Sequence, residues 1–173
     1  MRNLLVGLLT CVLAGACVST TPQTRPAGSI PPVTQEAEVL GVIRGLFDGM
    51  RQADTVAIRA SFHPEARLVT TGEQDGRPTV QIIPIDRFIA SIASAQGYLD
   101  ERTYDPVVHI DGNLAQVWTF YTFDLAGTFS HCGTDAFLLV RTDAGWKIIN
   151  VADTRYQDPG ICADLAPVDV GRN

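Results

Sequence analysis

The chain has 173 residues, of which 46% are hydrophobic, and a formal net charge of −6. This length suits one domain with terminal extensions, and this hydrophobic fraction excludes a wholly disordered chain. The negative charge and the lack of any Lys/Arg block argue against nucleic acid as a partner, because phosphate binding requires clustered basic side chains.

The N-terminal segment has the pattern of a targeting sequence. Residues 4–16, LLVGLLTCVLAGA, form an uncharged apolar run that is too short to span a bilayer comfortably and ends in small residues before Cys17. We therefore expect a signal peptide over 1–16 and a periplasmic domain. LAGAC resembles a bacterial lipobox, which makes Cys17 the candidate lipidation site and its lipid the only membrane attachment. A simply cleaved secreted form and a retained anchor are the alternatives. Residues 17–33, rich in Thr and Pro, are expected to form a flexible tether.

The remaining cysteines are expected to pair. Cys11 leaves with the signal peptide, so Cys132 and Cys162 remain in an oxidising compartment where paired thiols persist as disulfides. A Cys132–Cys162 bridge would tie the tail, 159–173, back onto the sheet. A reactive cysteine is the alternative, with no CxxC spacing in its favour.

The domain itself, 34–158, begins with helical patterns. Apolar residues at helical spacing predict a helix over 34–54, a short second helix over about 54–62 and a third over 85–96. Two extended runs around the polar sequence GEQDGRP lie between the second and third helices.

From there the chain reads as strands, at about 103–110, 114–125, 128–141 and 146–156. They are separated by DGN, AG and TDAG, each a good tight-turn sequence. Helices, a hairpin, a helix and then a long antiparallel meander predict an α+β fold.

The turns also predict which strand residues face each other. A loop at 126–127 pairs Leu125 with Thr128, and a loop at 142–145 pairs Arg141 with Trp146. The side of the sheet that carries both tryptophans is expected to lie under the helices and to form a concave pocket. Its expected ligand-binding residues are Gln116, Trp118, Phe120, Thr122, Phe137, Asn150 and Tyr156.

The same registers place polar side chains on both sides of the sheet. Asp135 and His131 fall on the pocket side, whereas Asp153 and Arg155 fall on the outer face as an exposed ion pair. A single β-bulge would reverse half of this assignment.

Three stretches, FHPEARLV, HCGTDAFLLV and GWKIINVADTR, resemble the nuclear transport factor 2-like (NTF2-like) superfamily over about residues 35–156. The similarity is to the secreted bacterial branch labelled SnoaL-like or "putative lumazine-binding". It implies a cone-shaped, cystatin-like fold, in which a strongly curved, mostly antiparallel sheet wraps around three helices and leaves an apolar cavity at the wide end. Homodimers are frequent in such families.

The resemblance does not fix the function, because this fold serves both enzymes and binding proteins. The enzymes use an Asp or a His in an apolar cone, so Asp135 and His131 are the candidate catalytic base and partner. Residues four apart on a strand are about 13 Å apart, too far for direct contact. The alternative for Asp135 is a structural carboxylate held by Asn150 and backbone N–H groups.

Other chemistries lack the residues they require. The three histidines have no metal-ligand spacing, so no metal site is expected. No Gly-rich phosphate loop follows a strand, so no nucleotide cofactor is expected.

Two functions therefore remain open. The first is a non-catalytic envelope protein that binds a small apolar or aromatic molecule. The second is a cofactor-free lyase or isomerase that uses Asp135 and His131. A third, weaker interpretation is an interaction module that dimerises through the outer face of the sheet.

Overall fold

The computed structural model describes residues 34–167. The predicted signal peptide, tether and lipidation site at Cys17 lie outside the described residues, as do residues 168–173. Within the described range the helices are α1 (Gln35–Gln52), α2 (Thr55–Ser61), α3 (Ile85–Ala93) and α4 (Pro159–Leu165). The strands are β1 (Phe62–Gln74), β2 (Arg77–Pro84), β3 (Leu99–Asp111), β4 (Leu114–Leu125), β5 (Thr128–Thr142) and β6 (Gly145–Thr154).

The strands form one curved sheet in the order β2-β1-β6-β5-β4-β3. All neighbours are antiparallel except β1 and β6, which run parallel. The predicted α+β class and the order of elements from 34 to 156 are confirmed.

Local sequence explains where the first two helices begin. The Thr34 hydroxyl accepts a hydrogen bond from the Ala37 N–H at 3.2 Å, which caps α1. The Asp54 carboxylate accepts bonds from the N–H groups of Val56 and Ala57, both at 3.0 Å, and caps α2.

The core lies between the helices and one face of the sheet, here called the inner face. Leu46 and Phe47 of α1 and Ile89 of α3 are buried against Phe137 and Val151 of the sheet. Burial of this apolar surface is the main source of stability, at about 25 cal/mol per Å² removed from water.

Two β-bulges shift the registers away from the turns. Leu125 pairs with Thr128 and Arg141 with Trp146, as predicted. Beyond Ser130, however, β5 is displaced by one residue against β4, and beyond Ile149 the register of β6 is displaced against β5. Because side chains alternate along a strand, each extra residue exchanges the two faces.

The C-terminal segment is fixed to the outer face of the sheet. The predicted disulfide between Cys132 of β5 and Cys162 is present, and Cys162 lies in α4, which the sequence did not predict as a helix. Both cysteines pack with buried Phe120 and with Tyr104 in a small second cluster. Among the described residues, none of the helices is long and apolar enough to cross a membrane.

Removing the disulfide is expected to lower the free energy of unfolding by about 2–4 kcal/mol, because the bridge closes a loop across a separation of 30 residues in the unfolded chain. Urea unfolding of the Cys132→Ala, Cys162→Ala double variant against the wild type measures this difference. Reductant should destabilise the wild type and leave the double variant unchanged. Equal stability of the two oxidised proteins would contradict the prediction.

Candidate functional site

A cleft opens between the inner face of the sheet and helices α1 and α3. It has a deep lobe of about 50 Å³ and an outer lobe of about 210 Å³. The two lobes are adjacent and share five wall residues, which are Met50, Phe88, Glu101, Asp153 and Arg155. Its walls are mostly apolar, so the polar groups that reach it define its chemistry.

Asp135 of β5 lies at the deep end of the cleft and is only 3% exposed. The register places it directly opposite Asp153 of β6. Two carboxylates in this position repel each other, and burial adds the cost of desolvation. No N–H or O–H group within residues 34–167 donates to Asp135 Oδ2.

Glu101 of β3 supplies a third carboxyl group, and α1 fixes its backbone. Arg51 Nη1 donates to the Glu101 carbonyl oxygen and to Asp100 Oδ1, each at 3.2 Å. Asp100 also accepts two bonds from Arg102, at 2.9 and 2.6 Å. Burial raises the pKa of Asp100, but the two guanidinium groups outweigh it and hold that pKa below its ordinary value. This charged cluster anchors the beginning of β3, so that Glu101 extends into the cleft.

Glu101 and Asp135 form a carboxyl pair that holds a proton. Each carboxyl perturbs the pKa of the other, and a hydrogen bond between two carboxyls requires that one of them stay protonated. Burial, and then the neighbouring charge of Glu101, raise the pKa of Asp135 well above its ordinary value. Burial also raises the pKa of Glu101 to about 7, although the bond from Asp135 opposes that rise. Once Glu101 ionises, above about pH 7, Asp135 therefore donates to its carboxylate.

Asp153 is instead paired with a cation. Arg155 Nε donates to Asp153 Oδ2 at 2.6 Å. The buried Tyr121 hydroxyl donates to the Thr154 carbonyl oxygen at 2.9 Å and lies 3.4 Å from Asp153 Oδ2. Burial and the nearby carboxylates raise the pKa of Tyr121, so it remains a neutral donor.

His131 lines the outer lobe rather than the carboxyl pair. Its ring packs on Phe123 at 4.8 Å and on Tyr121 at 5.7 Å between ring centroids. Its Nδ1 lies 3.0 Å from Ser130 Oγ. Burial and then Arg155 lower the pKa of His131 to about 4, so the imidazole is neutral at physiological pH and a weak base.

The predicted site residues are divided between the two faces. Asp135, His131 and Phe137 lie on the inner face, as expected. The predicted inner-face position of the other six was wrong, because the bulges at Ser130 and Ile149 place them on the outer face: Gln116, Trp118, Phe120, Thr122, Asn150 and Tyr156.

The surroundings of these outer residues are unlike a pocket wall. Trp118 is 54% exposed, and Phe120 is buried under the disulfide. The Asn150 amide donates to the Arg67 carbonyl oxygen at 3.3 Å, so it is not a partner of Asp135.

The structure also corrects the prediction for Asp153 and Arg155, which lie at the cleft and not on the outer face. Glu101 and Tyr121 were not predicted as site residues at all. The strand containing Glu101 was predicted to begin at 103, whereas β3 begins at Leu99. The alternation of Leu99, Glu101 and Thr103 along one face was the available signal.

Within residues 34–167, no group of three or more His, Cys, Asp or Glu side chains has the geometry to hold a metal ion.

A curved six-stranded sheet packed on helices is the architecture of an NTF2-like domain. The chain belongs to the family described as "Putative lumazine-binding", whose model matches residues 34–152. No curated protein matches the sequence.

Solved structures show the same fold. An NTF2-like protein from Cytophaga hutchinsonii is 15% identical with a TM-score of 0.60, over 71% of this chain and 99% of its own. An NTF2-like protein of unknown function from Shewanella baltica is 16% identical with a TM-score of 0.56, over 75% and 100%. A "putative dehydratase" of the NTF2-like family from Streptomyces avermitilis is 16% identical with a TM-score of 0.56, over 73% and 99%. At such identities the likeness establishes the fold alone.

Asp135→Asn is expected to change how stability depends on pH. Because burial raises the pKa of Asp135 in the folded state, the folded protein binds more protons than the unfolded chain above about pH 4. The wild type therefore loses stability as pH rises towards the folded pKa, and the variant loses less. Between pH 5 and pH 8 the difference in unfolding free energy should shift by about 1–3 kcal/mol in favour of the variant.

Urea unfolding at several pH values measures this shift. Asp143→Asn, at an exposed turn carboxylate, is the control and should follow the wild type. If the difference between Asp135→Asn and the wild type stays constant with pH, Asp135 is not held protonated by the fold.

Gly133→Ala is expected to lower the free energy of unfolding of the protein by about 1–3 kcal/mol or more. A Cβ at Gly133 would lie 1.9 Å from the Thr154 carbonyl oxygen, the acceptor of the Tyr121 bond, so β6 must move. The matched control is Gly41→Ala on α1, where the new Cβ would meet only Arg44 Nη2 at 3.7 Å. That control should gain about 0.5–1 kcal/mol from helix propensity, and both are read from urea unfolding.

Proposed function

We propose that this domain binds a small, largely apolar molecule in the cleft, with its ring system in the outer lobe and a polar end towards Asp135 and Glu101. The observation that carries the proposal is the buried Asp135 Oδ2, which has no N–H or O–H donor within residues 34–167 and lies at a cavity whose walls are mostly apolar. Buried polar atoms almost always have partners, so an unmet acceptor at the end of a cleft favours a ligand that donates to it.

The outer lobe suits a flat ring. Phe88 of α3 and Phe123 of β4 line it together with the neutral imidazole of His131. Aromatic walls stack on planar ligands through offset and edge contacts. The description of the family supports lumazine, a flat bicyclic heterocycle, as the first compound to test.

The domain is also proposed to act in the cell envelope. The apolar run before Cys17 supports export. The disulfide between Cys132 and Cys162 is in keeping with an oxidising compartment.

A second candidate function is acid–base catalysis by a cofactor-free lyase or isomerase. It is favoured by one observation, the carboxyl pair, because one member keeps its proton while the other has a pKa of about 7. Glu101 would act as the base and Asp135 as the acid. His131, with its pKa lowered to about 4, is a poor base at neutral pH.

Ligand binding is tested by thermal shift with lumazine and a set of small aromatic compounds. Binding at 100 times Kd should stabilise the protein by about 2.7 kcal/mol. Ser91→Trp, which places an indole at the exposed wall of the outer lobe, should abolish the shift. Ser94→Trp, with the same side chain at the exposed C-cap of α3, should leave it intact. Shifts that persist unchanged in Ser91→Trp would contradict binding in the cleft.

The two functions differ in their products. A binding protein returns each ligand unchanged, as measured by chromatography after prolonged incubation. For an enzyme, Glu101→Gln should reduce kcat by about 10²–10⁴-fold, the range for loss of a general base. Turnover that survives Glu101→Gln would exclude this pair as the catalytic groups.

A further inference from the structure

The deep lobe presents hydrogen-bond acceptors and has more carboxyl groups than cations in its wall. Three carboxyl groups, of Glu101, Asp135 and Asp153, line it with one guanidinium, that of Arg155. Arg155 is already engaged by Asp153 at 2.6 Å. The charge of the remaining pair is reduced only by the proton that Asp135 and Glu101 share.

The oxygen that lacks a hydrogen-bond donor, Asp135 Oδ2, belongs to a residue that lines this lobe. Asp135 is only 3% exposed, and no N–H or O–H group of residues 34–167 donates to its Oδ2. A pair that shares one proton carries one negative charge and makes one hydrogen bond between its members, so Asp135 keeps the capacity to accept another.

The size of the lobe limits what can enter. About 50 Å³ holds a group the size of a few water molecules, because one water requires roughly 10–15 Å³ by this measure. An aromatic ring must therefore stay in the outer lobe of about 210 Å³, and only a short polar end reaches Asp135.

The charge of that polar end follows from the surroundings. A carboxylate would meet two or three like charges, and the one cation has a carboxylate partner already. A group of N–H donors with positive charge meets acceptors only.

We propose that the ligand carries a cationic nitrogen group, an amidinium or a protonated amine; this inference rests on the ligand-binding function proposed above. The cationic group donates N–H hydrogen bonds to Asp135 and Glu101 and takes the place of their shared proton. On binding, every proton that the pair holds leaves for solvent, one above about pH 7 and two below it, and both carboxyls become ionised. The cation then supplies the donor that Asp135 Oδ2 lacks.

Binding of such a ligand must weaken as pH falls, because protons compete for the same oxygens. The groups that face the pair are Tyr121 of β4, His131 of β5, and Asp153 and Arg155 of β6; the helices contribute Met50 and Phe88, which do not titrate. His131, with a pKa of about 4, stays neutral between pH 6 and 8, and so does Tyr121, whose pKa is raised. The pair itself, with the pKa of Glu101 at about 7, therefore dominates that interval.

The test compares benzamidine, which is cationic, with the near-isosteric neutral benzamide and the anionic benzoate, by calorimetry on the wild type. At pH 8 benzamidine should bind at least tenfold more tightly than benzamide, and benzoate most weakly. From pH 8 to pH 6 the affinity for benzamidine should fall by more than tenfold, because the proton of Glu101, with a pKa of about 7, alone accounts for about tenfold and the proton of Asp135 must be displaced as well. Calorimetry in two buffers of different ionisation enthalpy should record the release of about one proton at pH 8 and close to two at pH 6.

Variants locate the effect. Asp135→Asn and Glu101→Gln should each remove the preference for benzamidine over benzamide. Glu65→Gln, which removes the same charge from an exposed position of β1, should keep it.

The outcomes separate the two proposals. If benzamide or benzoate binds as well as benzamidine, and Ser91→Trp abolishes that binding, the cationic ligand is excluded while the cleft remains a binding site. If benzamidine, benzamide, benzoate and lumazine all fail to bind, both proposals are overturned. A preference for benzamidine that survives Asp135→Asn and Glu101→Gln also overturns the inference.

Discussion

Two extra residues in the sheet, Ser130 and Ile149, determine which side chains reach the cleft. Each is a β-bulge, and each reverses the alternation of side chains beyond it. Together they place Asp135 and Asp153 opposite each other on the inner face and leave Trp118 in solvent. The acidic end of the cleft depends on both bulges. Without Ile149 the two carboxyls would point to opposite faces of the sheet, and without Ser130 Asp135 would share a face with Trp118.

That arrangement works against stability, and the surrounding structure compensates for it. The repulsion between Asp135 and Asp153 is relieved by Arg155 on one side and by the proton shared with Glu101 on the other. Gly133 lets the Thr154 carbonyl pass close over β5, where Tyr121 binds it. Proteins commonly tolerate such unfavourable local arrangements at functional sites, where residues are selected for chemistry rather than for packing.

Local patterns predicted the fold well but the site only in part. The order of helices and strands was predictable because its signals are local, each lying within a few residues along the chain. These signals are the helical spacing, the capping residues Thr34 and Asp54, and the tight-turn sequences. The faces beyond each bulge were assigned wrongly, since a bulge depends on strand pairing and leaves no reliable local signature. Trp118 was predicted as a pocket residue because it is a large aromatic on a strand, whereas Glu101 lies in a polar stretch whose sequence is typical of a loop. The disulfide was predictable because only Cys132 and Cys162 remained to pair.

Binding and catalysis impose the same requirement on whatever enters the cleft. Asp135 is reached only through a lobe of about 50 Å³, so proton exchange with a reacting atom requires the same short donor end that recognition requires. A base with a pKa of about 7 beside a protonated acid can move a proton only if the substrate presents its acidic C–H or N–H to Glu101. A cationic ligand that binds to both carboxyls instead displaces their protons, and acid–base catalysis then stops because the acid has lost its proton. The charge of the polar end of the ligand therefore decides whether this pair recognises a molecule or transforms it.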